Sequence, residues 1–297
     1  MPSEPHLPPR RLVLVHSHPD DETITTGGTI AHYAADPDTH VTLVTCTLGE
    51  EGEVMVPELG SLAADQADQL GGYRIAELAR AAAELGLTDH RFLGGVGRWR
   101  DSGMVVTEGV HAAAPPEEKL HARAFSRANQ LDAQVAELVK ILDEIQPQVV
   151  VGYDPGGGYG HPDHVRAHDI TMAAVRRCAS VRKVYWTVIP RADVTTGLAE
   201  LRNVTPGPPW RLGTETELPS VADDTITTRL DIRTVVPAKL AALRAHATQL
   251  TVWEGGGAAA YALTNEIAQP IPPRECYILV DAPPGVAEID LFEGIQA

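Results

Sequence analysis

The chain has 297 residues and is 43% hydrophobic, which is material for one large α/β domain or two and excludes a disordered chain. Its 40 acidic residues against 24 basic ones give a formal net charge of −16. With no long Lys/Arg block, that balance argues against nucleic acid, an anionic membrane or a polyanionic substrate and for a neutral or weakly cationic small molecule.

Met1 to Arg11 is rich in proline and lacks an apolar core of signal-peptide length, and no later stretch approaches the roughly 20 apolar residues of a membrane span. The expected organisation is a loose tail over 1–10, a catalytic α/β region over 11–190, and a region over 191–297 that completes the same domain or forms a small subdomain. Cys46, Cys178 and Cys276 lie far apart and make no CxxC, so neither a disulfide framework nor a thiolate zinc site is expected and the compartment reads as reducing and cytoplasmic.

Val13-Leu14-Val15-His16 reads as a buried strand that Pro19 stops. Beyond it Asp20, Asp21 and Glu22 lead through Thr25-Thr26-Gly27-Gly28 into a helix carrying Ile30 and Tyr33. His40 to Thr47 reads as a second strand, with the glycine-bearing loop Leu48 to Glu53 opening on the same edge. Ile75, Leu78, Ala82 and Leu85 recur at helical spacing within 65–85, ahead of a short strand at Arg91 to Leu93. From Gly94 to about Ser126 periodicity disappears, as in a lid or pocket wall. Leu131, Val135, Leu138, Leu142 and Ile145 form a helical stripe that Pro147 ends. Gln148 to Tyr153 is a third strand running into a second polar cluster, Asp154 to His164, before a helix over 165–179 and a strand near 183–189. An irregular or partly stranded excursion is expected over 191–224, then a strand over 225–232, a helix over 236–249 and a last strand over 276–280. This alternation predicts an α/β fold, a Rossmann-like, mostly parallel sheet with helices on both faces, plus a smaller irregular C-terminal region.

In such a sheet the first strand of each half lies beside the other, and ligands bind where their exit loops diverge. The two polar clusters therefore meet. His18, Asp21 and His164 suit one zinc ion per chain and leave a position for water, which becomes a nucleophile near neutral pH. Iron(II) or cobalt(II) suits the same ligands. Asp20 sits beside a ligand as a general base, Tyr159 and His161 are donors to a developing oxyanion, and Asp163 is placed to fix the tautomer or charge of His161. His16 and His168 are rival ligands, and the bland alternative is a pair of structural hydrogen-bonding loops. Neither a G-x-G-x-x-G after the first strand nor a Walker-type lysine is present, which leaves nucleotide binding weak.

His18-Pro19-Asp20-Asp21-Glu22 and His161-Pro162-Asp163-His164 resemble the signature of the LmbE-like (PIG-L) superfamily of zinc-dependent N-acetylglucosaminyl deacetylases. Thr45 to Val54, Gln69 to Arg74 and Gly97 to Met104 extend the likeness. The resemblance implies zinc on His18, Asp21 and His164, with Asp20 as base and later acid. It implies an oxyanion donor in His161, helped by Asp163, a Tyr159 that swings over the site, and Arg74, Asp101 and Glu53 on the sugar and inositol hydroxyls. The implied reaction releases acetate from the small-molecule amino-sugar inositol N-acetylglucosaminyl-inositol, a step of mycothiol biosynthesis. A sister amidase acting on mycothiol S-conjugates shares the metal residues, and a non-catalytic sugar- or nucleotide-binding protein is the rival of another class. Arg98 to Asp101 and Leu70 to Tyr73 favour the deacetylase.

Overall fold

The apolar run before the first polar cluster is an inner strand of a seven-stranded sheet in the computed structural model, which describes residues 8–108 and 111–295. Residues 1–7 of the expected tail lie outside the described residues. Strand β1 (Arg10–His16) pairs in parallel with β2 (Thr39–Thr45) on one side and β6 (Val149–Tyr153) on the other. With β3 (Asp89–Phe92), β7 (Lys183–Val188), β9 (Thr228–Asp231) and β13 (Arg274–Leu279) the order is β3-β2-β1-β6-β7-β13-β9. The first five are parallel, and β13 runs antiparallel to both its neighbours.

Both faces are covered, and the side-chain alternation of a strand decides which residue serves which face. Leu12 and Leu14 pack with Leu43, Ile30 of α1 (Asp21–Ala34), Leu78 of α2 (Leu70–Glu84) and Ala242 of α7 (Val236–Ala245). Val13 and Val15 pack on the opposite side with Leu138 and Leu142 of α3 (Leu131–Ile145) and Ile170 of α5 (Pro162–Val175). The stripe read from the sequence of α3 is thus a core face. No helix among the described residues is long and apolar enough to cross a membrane.

Several elements depart from the sequence reading. The strand expected over 40–47 ends at Thr45, but Cys46 and Thr47 still donate to the carbonyls of His16 and Ser17 (both 2.9 Å), so the two exit loops run side by side. The helix expected from 65 begins at Leu70, because Asp68 adopts a left-handed φ of 54° and its carboxylate takes both Nη of Arg100. The expected loop over 94–126 contains the hairpin β4 (Val105–Glu108) and β5 (His111–Ala113). The helix expected from 165 starts at Pro162, which puts His164 in its first turn; α4 (Gly157–Gly160) is a short, kinked turn before it.

Arg191–Asn203, expected to be irregular, is the helix α6. The stretch over 191–224 reads as irregular because it is rich in Pro, Thr, Gly and acidic residues, yet a Cβ at Gly197 would overlap Pro270, so that glycine is required by close packing. The partner surface is a four-stranded sheet of β10 (Thr251–Gly255), β11 (Ala258–Ala262), β12 (Ile267–Pro270) and β8 (Arg211–Leu212). Leu201 of α6 meets Ala260 and Ala268 there.

One buried ion pair ties α1, α7 and β13 together. Glu275 accepts from the main-chain N–H of Gly28 (2.8 Å) and Thr29 (2.7 Å), and Lys239 Nζ reaches it at 2.6 Å, with both side chains 4% exposed. Glu275→Leu leaves the ammonium buried without its partner. The expected loss is about 3–5 kcal/mol, read as a fall in the urea midpoint, and an unchanged midpoint would show that the pair does not hold the three elements together.

Candidate metal and catalytic site

The lateral pairing of β1 and β6, with Leu12 opposite Val149 and Leu14 opposite Val151, brings the two turns past their ends into contact. The rings of His18 and His164 lie 5.4 Å apart between centroids, and both are almost wholly buried. Asp21, the first residue of α1, stands at the junction: His18 Nδ1 is 3.1 Å and His164 Nε2 3.2 Å from the same oxygen, Oδ2. The main-chain N–H of His18 also donates to that oxygen at 2.9 Å.

The outward nitrogens decide what these atoms are. His18 Nε2 faces Asp163 Oδ2 at 3.2 Å and Asp101 Oδ1 at 3.5 Å, and against the effect of burial these carboxylates and Asp21 raise its pKa well above the ordinary value; in the neutral ring the proton belongs on Nε2 and Nδ1 keeps a lone pair. His164 Nδ1 faces the carbonyl of Gly157 at 3.2 Å, so its Nε2 is likewise a lone pair, buried and without a hydrogen bond. Two imidazole lone pairs directed at one carboxylate oxygen repel each other unless a cation sits among them. The donor set therefore fits a divalent metal. Among the described residues the groups His18, His161, His164 and His18, Asp101, Asp163 bring their donor atoms within 4.8 Å of one another. Asp21 is in neither group, but its Oδ2 lies within 3.2 Å of both His18 Nδ1 and His164 Nε2.

His161 is the N-cap of α5, and its Nδ1 accepts the main-chain N–H of Asp163 at 3.1 Å. Burial, followed by the neighbouring His18 and His164, holds its pKa well below the ordinary value. The ring is thus neutral, with its proton on Nε2, 3.9 Å from Asp101 Oδ1. Sequence reasoning gave the tautomer of His161 to the Asp163 carboxylate; the main chain of Asp163 does that, and the carboxylate serves His18 and the N–H of Ser102 (2.9 Å). Tyr159 stands edge-on to His164 with centroids 4.9 Å apart. Burial and then Asp21 push its phenol well up, so the hydroxyl remains a donor.

Asp20 has a φ of 119°, unusual for a residue with a Cβ, and its Oδ2 pairs with Arg74 Nη2 at 2.9 Å. Burial raises its pKa to about 6, against the opposing pull of Arg74. Arg74 also donates from Nη1 to the carbonyl of Gly49 (2.8 Å) and from Nη2 to that of Pro19. Gly49 has a φ of 65°, and a Cβ there would overlap the guanidinium. Asp101 accepts from Gly103 N–H at 2.9 Å, and the facing imidazoles outweigh burial to hold its carboxyl below the usual range. Glu53 is exposed, its carbonyl held by Gln249 Nε2 at 3.1 Å. His16 spends its nitrogens on the Tyr153 hydroxyl (3.2 Å) and Thr26 (2.9 Å), and His168 Nδ1 lies on the Tyr153 carbonyl (2.9 Å), so neither rival points at Asp21. Sequence reasoning missed His246, whose Nε2 is 2.9 Å from Glu22 Oε1; no local pattern marks it, because the contact spans 224 positions.

Residues 13–175 match the family model described as GlcNAc-PI de-N-acetylase (PIG-L). The 1D-myo-inositol 2-acetamido-2-deoxy-alpha-D-glucopyranoside deacetylase of Actinosynnema mirum is 56% identical over 97% of this chain and 98% of its own length. The protein of the same name from Mycobacteroides abscessus is 51% identical over 97% of this chain and 99% of its own length. Among solved structures, the N,N'-diacetylchitobiose deacetylase of Pyrococcus horikoshii superposes with a TM-score of 0.51 at 19% identity, covering 80% of this chain and 70% of that one. That last likeness is one of fold.

The lone pair of His164 Nε2 gives a direct expectation. His164→Ala loses bound metal, whereas His168→Ala, whose ring is turned to Tyr153, retains it. Elemental analysis of the two purified variants reads this, and undiminished metal in His164→Ala removes that residue from the ligand set.

Proposed function

The chain belongs to the GlcNAc-PI de-N-acetylase (PIG-L) family, and on that premise we propose that it hydrolyses the acetamide of 1D-myo-inositol 2-acetamido-2-deoxy-alpha-D-glucopyranoside to the free amine and acetate, a step of mycothiol biosynthesis. The substrate is carried by identity above 50% over nearly the whole length of relatives that bear that name. The reaction class is carried by the buried lone pairs of His18 and His164 around Asp21. Zinc is the metal we assign, since two imidazoles and a carboxylate suit its tetrahedral, open site. Three buried free cysteines fit a reducing cytoplasm, and the acidic surface fits a small neutral substrate in preference to nucleic acid or membrane.

A divalent metal on His18, Asp21 and His164 would supply Lewis acidity toward the acetamide carbonyl and the attacking water. The chain's own groups do the rest. Asp20, with a carboxyl at about 6, accepts the proton of the water and returns it to the departing nitrogen, a pKa near the working pH being the best compromise for both duties. Arg74 holds that carboxylate in place through Nη2. The Nε2–H of neutral His161 donates to the carbonyl oxygen as it becomes anionic, and the Tyr159 hydroxyl adds a second donor. Asp163 orients His18 from the far side of the ring. Asp101 and Glu53 are assigned to sugar and inositol hydroxyls. Arg74, with both Nη used on Asp20, Gly49 and Pro19, is assigned to Asp20 first and has only Nε uncommitted.

Two measurements test this. Asp20→Asn is expected to keep its metal and lose about 10²–10⁴ in turnover; full activity in that variant would assign the base elsewhere. Chelation is expected to abolish acetate release and zinc to restore it. Should a side-by-side assay find faster cleavage of mycothiol S-conjugates than of N-acetylglucosaminyl-inositol, the amidase reading replaces this one.

A further inference from the structure

His246 closes the C-terminus of α7, and it is completely buried. Its Nδ1 has no hydrogen-bond partner, so the ring is anchored through Nε2 alone, to Glu22 Oε1 at 2.9 Å, with the Thr23 hydroxyl at 3.4 Å. An imidazole whose one strong partner is a carboxylate carries its proton on that side. The other oxygen of the same carboxylate, Glu22 Oε2, accepts the main-chain N–H of Asp20 at 2.9 Å. That N–H belongs to the residue held at a φ of 119°. A continuous line of hydrogen bonds therefore runs from the end of α7 through Glu22 to the backbone of Asp20.

The turn carrying His246 is fastened independently of that line. Thr248 donates to the buried Glu77 from its N–H (2.9 Å) and hydroxyl (2.6 Å), and its carbonyl accepts from Met55 N–H at 2.8 Å. Gln249 holds the carbonyl of Glu53. Replacing the imidazole therefore leaves the turn attached and removes one specific restraint. Without it Glu22, 1% exposed, keeps only the Thr23 hydroxyl on Oε1 (2.5 Å), and its hold on the Asp20 N–H through Oε2 loosens. The left-handed backbone of Asp20 then has nothing to offset its strain on that side.

We infer that His246 is a positioning residue for the deacetylation, holding Asp20 through Glu22 in the backbone conformation that turns its carboxylate toward Arg74 and the metal ligands. The catalytic part of this inference rests on Asp20 being the base, as proposed above; the structural part does not. Contacts to the substrate are made by other groups, so the effect falls on kcat and spares KM.

The test compares His246→Leu with His246→Gln, whose amide Nε2 retains a donor toward Glu22, in full-length protein brought to equal metal content. Two quantities are read: hydrogen–deuterium exchange of the Asp20 amide, which needs no substrate, and kcat and KM for acetate release. In His246→Leu the Asp20 amide is expected to exchange about tenfold faster or more while the amides of β13 are unchanged. Its kcat is expected to fall about 10- to 100-fold with KM within about twofold, the scale of a base displaced by about 1 Å. His246→Gln is expected to recover most of both losses. If His246→Leu does not fold, His246→Asn, too short to reach Glu22, takes its place with the same expectations. Unchanged exchange at Asp20 overturns the inference, as does faster exchange spread evenly over the sheet or an equal fall in the Gln variant. A parent enzyme that releases no acetate would defeat the functional reading alone, and the exchange result would still decide whether His246 restrains Asp20.

Discussion

The pairing of β1 with β6 is the constraint on which the site depends. Far apart in sequence but adjacent in the sheet, these strands begin the two halves of its parallel part, and the chain turns outward in opposite directions from their carboxyl ends. Helices then leave on opposite faces, α1 from the first turn and α5 from the second, and the gap between them is lined by whatever follows each strand. Here that is His18 to Glu22 on one side and Tyr159 to His164 on the other. Because both strands are buried on both faces, their register is fixed by close packing. The ligand atoms inherit that precision.

The second physical theme is the management of charge away from water. Asp20, Asp21 and Glu22 are successive carboxylates, all buried, and each faces a different group: Arg74, the His18 and His164 pair that would share a cation with it, and His246. Their proton affinities separate accordingly. Burial wins at Asp20, which rises to about 6, whereas at Glu22 the contacts of His246 and Thr23 outweigh burial and bring it down to about 2. Adjacent carboxyl groups driven apart in this way divide into one that exchanges protons and others that stay ionised. The same division lets three acids share one turn without mutual repulsion opening it.

Much of this was legible in the sequence, for identifiable reasons. The strands announce themselves because burial on both faces demands runs such as Val13 to Val15 and Val149 to Val151, and α3 because one face alone is buried. The polar clusters stood out because buried strands ended in acids and imidazoles. What stayed hidden depends on distant partners. The helix α6 is written with Gly197 because Pro270 presses on it, and β11 and β12 carry Ala260 and Ala268 where Leu201 packs on them. The role of Arg74 at Asp20 and that of His246 at Glu22 are side-chain contacts across 54 and 224 positions, and no local periodicity encodes either.

Asp20 shows how far local rules are set aside where chemistry is placed. As the residue before α1 it has the side chain favoured for capping a helix, yet it makes no capping hydrogen bond, forgoing about 1 kcal/mol. Its positive φ costs on the order of a further 1–3 kcal/mol. Both costs follow from one requirement, that the carboxylate point away from the helix and toward Arg74. The neighbouring residues offset them: Glu22 reaches back to the stranded N–H, and Arg74 grips both the carboxylate and the carbonyl of Pro19. A turn that sought only stability would let Asp20 cap its helix, and the pocket would then lose a buried carboxylate whose pKa is raised to about 6.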